Sequence, residues 1–192
     1  MNKRKLIASG LSLATLAVLS AGCTTTGGAS GDPAAQRQAL NAQADNALTR
    51  LYREARDSEA LVKQARGVLV FPNFVSAGFI VGGASGQGVL REGGKTVSYH
   101  RMSEGSVGLL AGAQSQAVFI LFMTDDALKR FKSSNGWTVG ADANVTLLTV
   151  GADASITGRT AQQPVVGFVL TNSGLMGSLS LSGSRITPLN LN

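Results

Sequence analysis

The spacing of apolar residues changes period several times along the chain, and each change marks a boundary. Lys3, Arg4 and Lys5 stand before an apolar run from Leu6 to Leu19, the charged-then-hydrophobic order of a secretory signal. The run is shorter than the roughly 20 apolar residues of a membrane span. It gives way to Ser20-Ala21-Gly22 ahead of Cys23, and residues 24–32 are small and polar, which predicts a flexible tether. From Pro33 the period becomes helical. Leu40, Ala44, Ala47, Leu48, Leu51 and Ala55 recur three and four residues apart, with Arg50, Arg53 and Arg56 on the other side, the pattern of an amphipathic helix. Asp57-Ser58-Glu59 reads as a break, followed by a short second helix through Leu61 and Ala65 that ends near Gly67.

After Gly67 the helical period is lost. Val68-Leu69-Val70-Phe71, Gly78-Phe79-Ile80-Val81, Gly88-Val89-Leu90 and the run from Ala117 to Phe122 predict strands. The last is apolar on both faces and is expected to be the most buried. Thr124-Asp125-Asp126 followed by Lys129, Arg130 and Lys132 predicts a short helix whose charges match its dipole. That match explains the basic cluster more simply than a ligand site does. Beyond Trp137 the period is two: Val139, Ala141, Ala143, Val145 and Leu147 predict one strand, and Val150–Ala154 repeats the pattern of Val139–Ala143. Val166 to Leu170 and Leu175 to Leu181, joined by Asn172-Ser173-Gly174, predict a hairpin. The expected fold is α+β, a Gly-rich and mostly antiparallel sheet curling toward a barrel, with an N-terminal helical segment and one short internal helix. A membrane-spanning barrel is set aside, because the aromatic girdles and regular strands of about ten residues that it requires are missing.

Composition sharpens this outline. Without residues 1–22 the chain keeps about 170 residues, enough for a single core, so 33–192 is read as one domain. Half of the formal charge of +6 belongs to Lys3, Arg4 and Lys5, which weakens any argument for a nucleic-acid partner. Cys23 is the only cysteine and His100 the only histidine, excluding an intrachain disulfide and cysteine or histidine-cluster metal sites. No metal, cofactor or enzymatic activity is expected. A Ser-His-Asp arrangement would have to recruit His100 from Tyr99-His100-Arg101, and no Gly-x-Ser-x-Gly elbow accompanies it. The cluster Gly82–Gly88 lacks the Lys-Ser/Thr ending of a phosphate loop and reads as a tight turn or bulge. Asp142 and Asp153 occupy matching points of the alternation and read as solvated residues.

Ser20-Ala21-Gly22-Cys23 resembles the processing site of bacterial lipoproteins. The resemblance implies that the Cys23 thiol is acylated and the chain cut just before it. The commonest such site has Leu three residues before the cysteine, whereas here Ser20 holds that place and Leu19 precedes it. An ordinary signal peptide cut nearby is the alternative. On the lipoprotein reading 1–22 is removed, 23–32 is a tether, and Thr24, where an Asp would resemble an inner-membrane retention signal, directs the chain to the periplasmic face of the outer membrane.

Several ordered blocks resemble the SYLF family. They are Lys63 through Pro72, Ala77 through Gly83, Gly86 through Leu90, Gly105 through Gly108, Gly112 through Ser115, the Phe119 strand with Met123-Thr124, Gly140 through Ala143, and Gly174 through Gly177. The resemblance implies binding of anionic phospholipids, with actin as a ligand of some fungal members. It implies headgroup contacts at Lys63 and Arg66, in the family's opening block, and at Arg50, Arg53 and Arg56, which match by position and character only. The other reading of the helix packs its apolar side on the sheet and leaves its arginines in water. The expected function is thus a lipid-anchored envelope protein that binds anionic headgroups. The alternative is a structural or assembly lipoprotein whose sheet edges bind another envelope protein.

Overall fold

The computed structural model describes residues 32–78, 81–107, 112–148, 162–171, 174–175 and 181–191. Helix α1 (Pro33–Glu54) begins where the Asp32 carboxylate accepts a hydrogen bond from the Ala34 amide at 3.0 Å, with Pro33 in the first turn, where its missing N–H costs nothing. Leu40, Ala44, Ala47, Leu48 and Leu51 form its buried stripe. The break comes at Ala55. Ser58, fully buried, donates its hydroxyl to the Ala55 carbonyl at 2.6 Å, satisfying the end of one helix while opening the next, α2 (Ser58–Gln64). The Arg66 amide then bonds the Phe122 carbonyl at 2.8 Å and leads the chain into the sheet.

Nine strands follow among the described residues: β1 (Gly67–Gly78), β2 (Val81–Glu92), β3 (Lys95–Val107), β4 (Gly112–Phe122), β5 (Trp137–Thr138), β6 (Thr146–Leu147), β7 (Val165–Thr171), β8 (Gly174–Leu175) and β9 (Arg185–Pro188). Their spatial order is β5-β9-β3-β2-β1-β4-β7-β6, with β8 on β7. Among the described strands, β6 and β7 pair in parallel and the other pairs are antiparallel. Helix α3 (Asp125–Ser133) leaves β4 and is capped by the Thr124 hydroxyl, which accepts from the Ala127 amide.

The sheet is buried on both sides, which explains why β4 is apolar without alternation. Val68 and Val70 of β1, Phe119 of β4 and Phe168 of β7 face α1, while Leu69, Phe71, Val118 and Ile120 face a second cluster with Leu128 and Phe131 of α3 and Trp137. The second cluster also unites Met102 of β3 and Ile186 of β9 with Val165 and Val169 of β7. These strands lie well apart in the sheet order, so the sheet curls around that face. Gly31–Asn192 forms one compact unit. Both clusters lie within Leu40–Leu191, so this unit carries the core it needs to fold alone.

Three expectations are corrected or sharpened. The glycine cluster Gly82–Gly88 is neither a turn nor itself the bulge. It runs as regular strand against β3, and the irregularity lies opposite, in β1, where pairing shifts register around Pro72 and Asn73. Pro72 supplies no N–H, so it suits a bulge. A Cβ on Gly86 would lie 2.7 Å from the Asn73 carbonyl oxygen, and one on Gly88 2.5 Å from that of Val70; the glycines make room for the bulged neighbour. The strand expected over Val139–Leu147 exists only as β6 at Thr146–Leu147, with β5 ending just before Val139. Between them the chain turns, with Gly140 at φ 89° and the Thr138 amide donating to the Asp142 carboxylate at 2.6 Å. An alternating sequence with a glycine in left-handed backbone and an Asx-type acceptor satisfies its amides locally, without a ladder. The Leu170–Leu175 pairing carries the expected β7–β8 hairpin, whereas Asn172-Ser173, Val150–Ala154 and residues 176–180 lie outside the described residues.

His100 belongs to the core. It is 7% exposed, its ring lies 4.9 Å from that of Phe131, and Nε2 pairs with the Ser98 hydroxyl at 2.9 Å. Burial lowers its pKa from 6.5 to about 4.

Two outcomes follow from this packing. Gly88→Ala loses about 2 kcal/mol of unfolding free energy in urea titration, while Gly105→Ala, with nothing within 4 Å of its Cβ, stays within about 0.5 kcal/mol of the parent; equal effects contradict the close approach. Because the folded-state pKa of His100 lies below its unfolded value, the unfolded chain takes up the proton first. Stability is full above pH 6.5 and declines as pH falls toward about 4, by at most about 3 kcal/mol. A His100→Phe variant lacks that part of the slope in thermal melts run across the range.

Candidate functional site

The five cations singled out in the sequence do not converge. Arg50 is held against the end of the sheet, its guanidinium donating to the Thr171 carbonyl at 3.2 Å. Arg66 reaches toward Asp125 at the start of α3, at 3.5 Å between exposed side chains. Lys63 pairs with Glu59 one helical turn away at 2.8 Å, and that hydrogen bond raises its pKa. Arg53 and Arg56 are exposed at the end of α1 and in the break before α2. Cys23 lies outside the described residues.

A cleft of about 400 Å³ opens where α1, α2 and the β2–β3 turn meet. Leu48 of α1, Val62 and Ala65 of the α2 segment and Val68 of β1 give it apolar walls, and Tyr52, Lys63 and Arg91 bring polar atoms to it. Gly93 and Gly94 form the turn on one side, both at positive φ; the two-residue reversal needs that backbone, and it leaves this rim bare of side chains. Tyr52 is half-buried, and its hydroxyl pKa is raised by desolvation first and by Glu59 second, against the opposing influence of Arg91 and Lys63. Both cations are therefore close enough to act on the phenol.

Arg91 is the residue that sequence reading passed over. Its side chain is only 12% exposed and meets the Asp45 carboxylate at 2.6 Å, with a second nitrogen donating to the Asn41 carbonyl at 3.2 Å. Its Nε–H is buried with no acceptor. The available signal was an arginine closing an apolar strand just before Glu92-Gly93-Gly94-Lys95, a hairpin turn facing the amphipathic helix. A second hollow, of about 490 Å³ beside Trp137, mixes Arg130 with Asp126 and Asp142 and offers no single sign of charge. Near it α3 has its acidic first turn and a basic last turn, where Lys132 pairs with Glu92 at 2.7 Å. No helix among the described residues is long and apolar enough to cross a membrane, and no group of three or more metal-ligating side chains occurs among them.

Residues 103–190 match the family model described as Ysc84, Las17-binding protein actin regulator. No curated protein matches the chain. The matched stretch runs from within β3 through β4, α3 and β7 to β9, so it takes in the curled part of the sheet, while α1, α2 and the cleft precede it. The match takes in the later of the ordered glycine-rich blocks, from Gly105 onward, and residues 103–190 are those of a SYLF-family domain.

Proposed function

We propose that the chain is a bacterial envelope lipoprotein, held on the periplasmic face of the outer membrane through acylated Cys23, whose SYLF domain binds anionic phospholipid headgroups. The observation that carries this reading is the exposure of Arg53 and Arg56 at the α1–α2 break and of Lys63 near the end of α2. The apolar stripe of α1 is already buried in the domain, so the helix offers a membrane its charges and not its leucines. Each cation held near an anionic surface contributes about 1 kcal/mol. Glu54, Asp57 and Glu59 share the same stretch, which keeps the net attraction modest and sensitive to salt.

A second constraint supports headgroup selection over simple attachment. Acyl chains contribute about 0.8 kcal/mol per buried methylene, so a lipid-modified Cys23 keeps the protein on its membrane whatever the domain does. A domain that adds lipid affinity to that anchor discriminates among headgroups, or reaches lipid beyond the anchoring leaflet.

Co-sedimentation of residues 31–192 with vesicles at low salt tests the proposal. The domain is expected to pellet with phosphatidylglycerol-containing vesicles and to remain in solution with phosphatidylcholine alone. The double substitution Arg53→Glu, Arg56→Glu lowers the bound fraction about tenfold. Equal pelleting with neutral and anionic vesicles rules the headgroup reading out.

A further inference from the structure

Resting on the reading of an anionic-phospholipid binder, we infer that the cleft between α1, α2 and the β2–β3 turn is the site at which a single phospholipid molecule is held, its phosphate by Arg91, Lys63 and Tyr52 and the start of its acyl chains by Leu48, Val62 and Val68.

The first support is the mixture of surfaces. Apolar walls and two cations meet in one hollow of about 400 Å³, a combination that a headgroup phosphate joined to hydrocarbon satisfies at both ends and that inorganic phosphate satisfies at one. The second is the state of Arg91. Its side chain is 12% exposed, yet Asp45, its only carboxylate partner among the described residues, is itself 65% exposed. An arginine in that position pays desolvation without full compensation, and its buried Nε–H has no acceptor among the described residues. Buried donors are nearly always satisfied, so this guanidinium is under-compensated where it lines the cleft. A phosphate accepts several charge-assisted hydrogen bonds from one guanidinium, and Asp45 is free to turn into solvent as the phosphate arrives.

The third is access. The turn at Gly93 and Gly94 carries no side chains, and a Cβ at either position would have nothing within 4 Å, so the mouth is open on that side. Lys63 is exposed and paired with the exposed Glu59, so it can swing to the ligand without disturbing the core. The cleft thus differs in kind from the exposed Arg53 and Arg56. Those charges attract a surface, whereas the cleft takes one molecule, including part of its hydrocarbon.

The test uses residues 31–192 and dihexanoyl phosphatidylglycerol below its micelle concentration, with the methyl groups of Leu48, Val62 and Val68 followed by NMR. The lipid is expected to shift these three methyl sets saturably, while inorganic phosphate at the same concentration leaves them in place. Val62→Trp, which fills the cleft, weakens binding about tenfold or more, and Arg91→Lys, which keeps the charge but loses the planar fork, weakens it in the same direction. Unmoved methyls in the wild-type domain overturn the inference, a result that needs no variant to fold. So does a Val62→Trp domain that melts normally and binds the lipid as tightly as the parent. If the methyls stay still while the domain sediments with anionic vesicles, the cleft is wrong and headgroup binding stands; if the domain does neither, both fail.

Discussion

One apolar face can be buried only once, and in this protein α1 has spent its face on the sheet. Leu40, Leu48 and Leu51 cover Val68, Val70, Phe119 and Phe168, and burying three leucines contributes roughly 5 to 9 kcal/mol. Lifting the helix onto a bilayer would return hydrocarbon to the helix but leave that side of the sheet in water. Against this, Arg53 and Arg56 offer about 2 kcal/mol of surface attraction. The comparison decides where the helix stays. A polar seam adds to it: Asn41 bonds the Tyr99 hydroxyl and accepts from the Thr96 hydroxyl, and Arg91 binds Asp45 and the Asn41 carbonyl.

The position of α1 in turn creates the cleft. The helix ends where Ser58 satisfies it, α2 leaves at an angle, and the Arg91 guanidinium that ties α1 to the sheet is left beside the gap between them. On the other face the same sheet curls around α3 and Trp137, where Phe122, Phe131 and Trp137 contact one another and the Phe131 ring also meets His100. Phe122, Phe131 and Trp137 lie within the family match at residues 103–190, and His100 lies just before it. The matched stretch takes in β4, α3, β7 and β9 with the end of β3, and the cleft is built in front of it from the helices, the start of β1 and the β2–β3 turn.

Much of the fold was legible because its signals are local. The spacing from Leu40 to Ala55, the break at Asp57 and Ser58, the capped acidic start of α3 and the double-faced apolarity of Val118–Phe122 each state their own structure. The misread segments are those whose meaning depends on a partner. Val139–Leu147 alternates like a strand, yet Gly140 and Asp142 close a turn there. Gly82–Gly88 looks like a turn, yet its glycines answer a bulge in a strand on the other side of the hairpin. The site was legible in part. Lys63 was visible as a basic residue in a helical segment, but Arg91 lies far from it in sequence, and only the packing of α1 across the β2–β3 hairpin brings the two to one cleft. Arg50, grouped with Arg53 and Arg56 by helical spacing, is instead occupied by Thr171.

The commitment of α1 to the sheet is open to direct measurement. Residues 31–192 bound to anionic nanodiscs that carry lipids spin-labelled deep in the acyl chain allow relaxation to be read on the Leu40 and Leu51 methyl groups, which are 6% and 0% exposed. With the helix seated on the sheet, both residues keep their free-state shifts and relax no faster than Ile120, buried on the opposite face. Strong paramagnetic broadening of Leu40 and Leu51, with Ile120 spared, would mean that the helix leaves the domain for the bilayer.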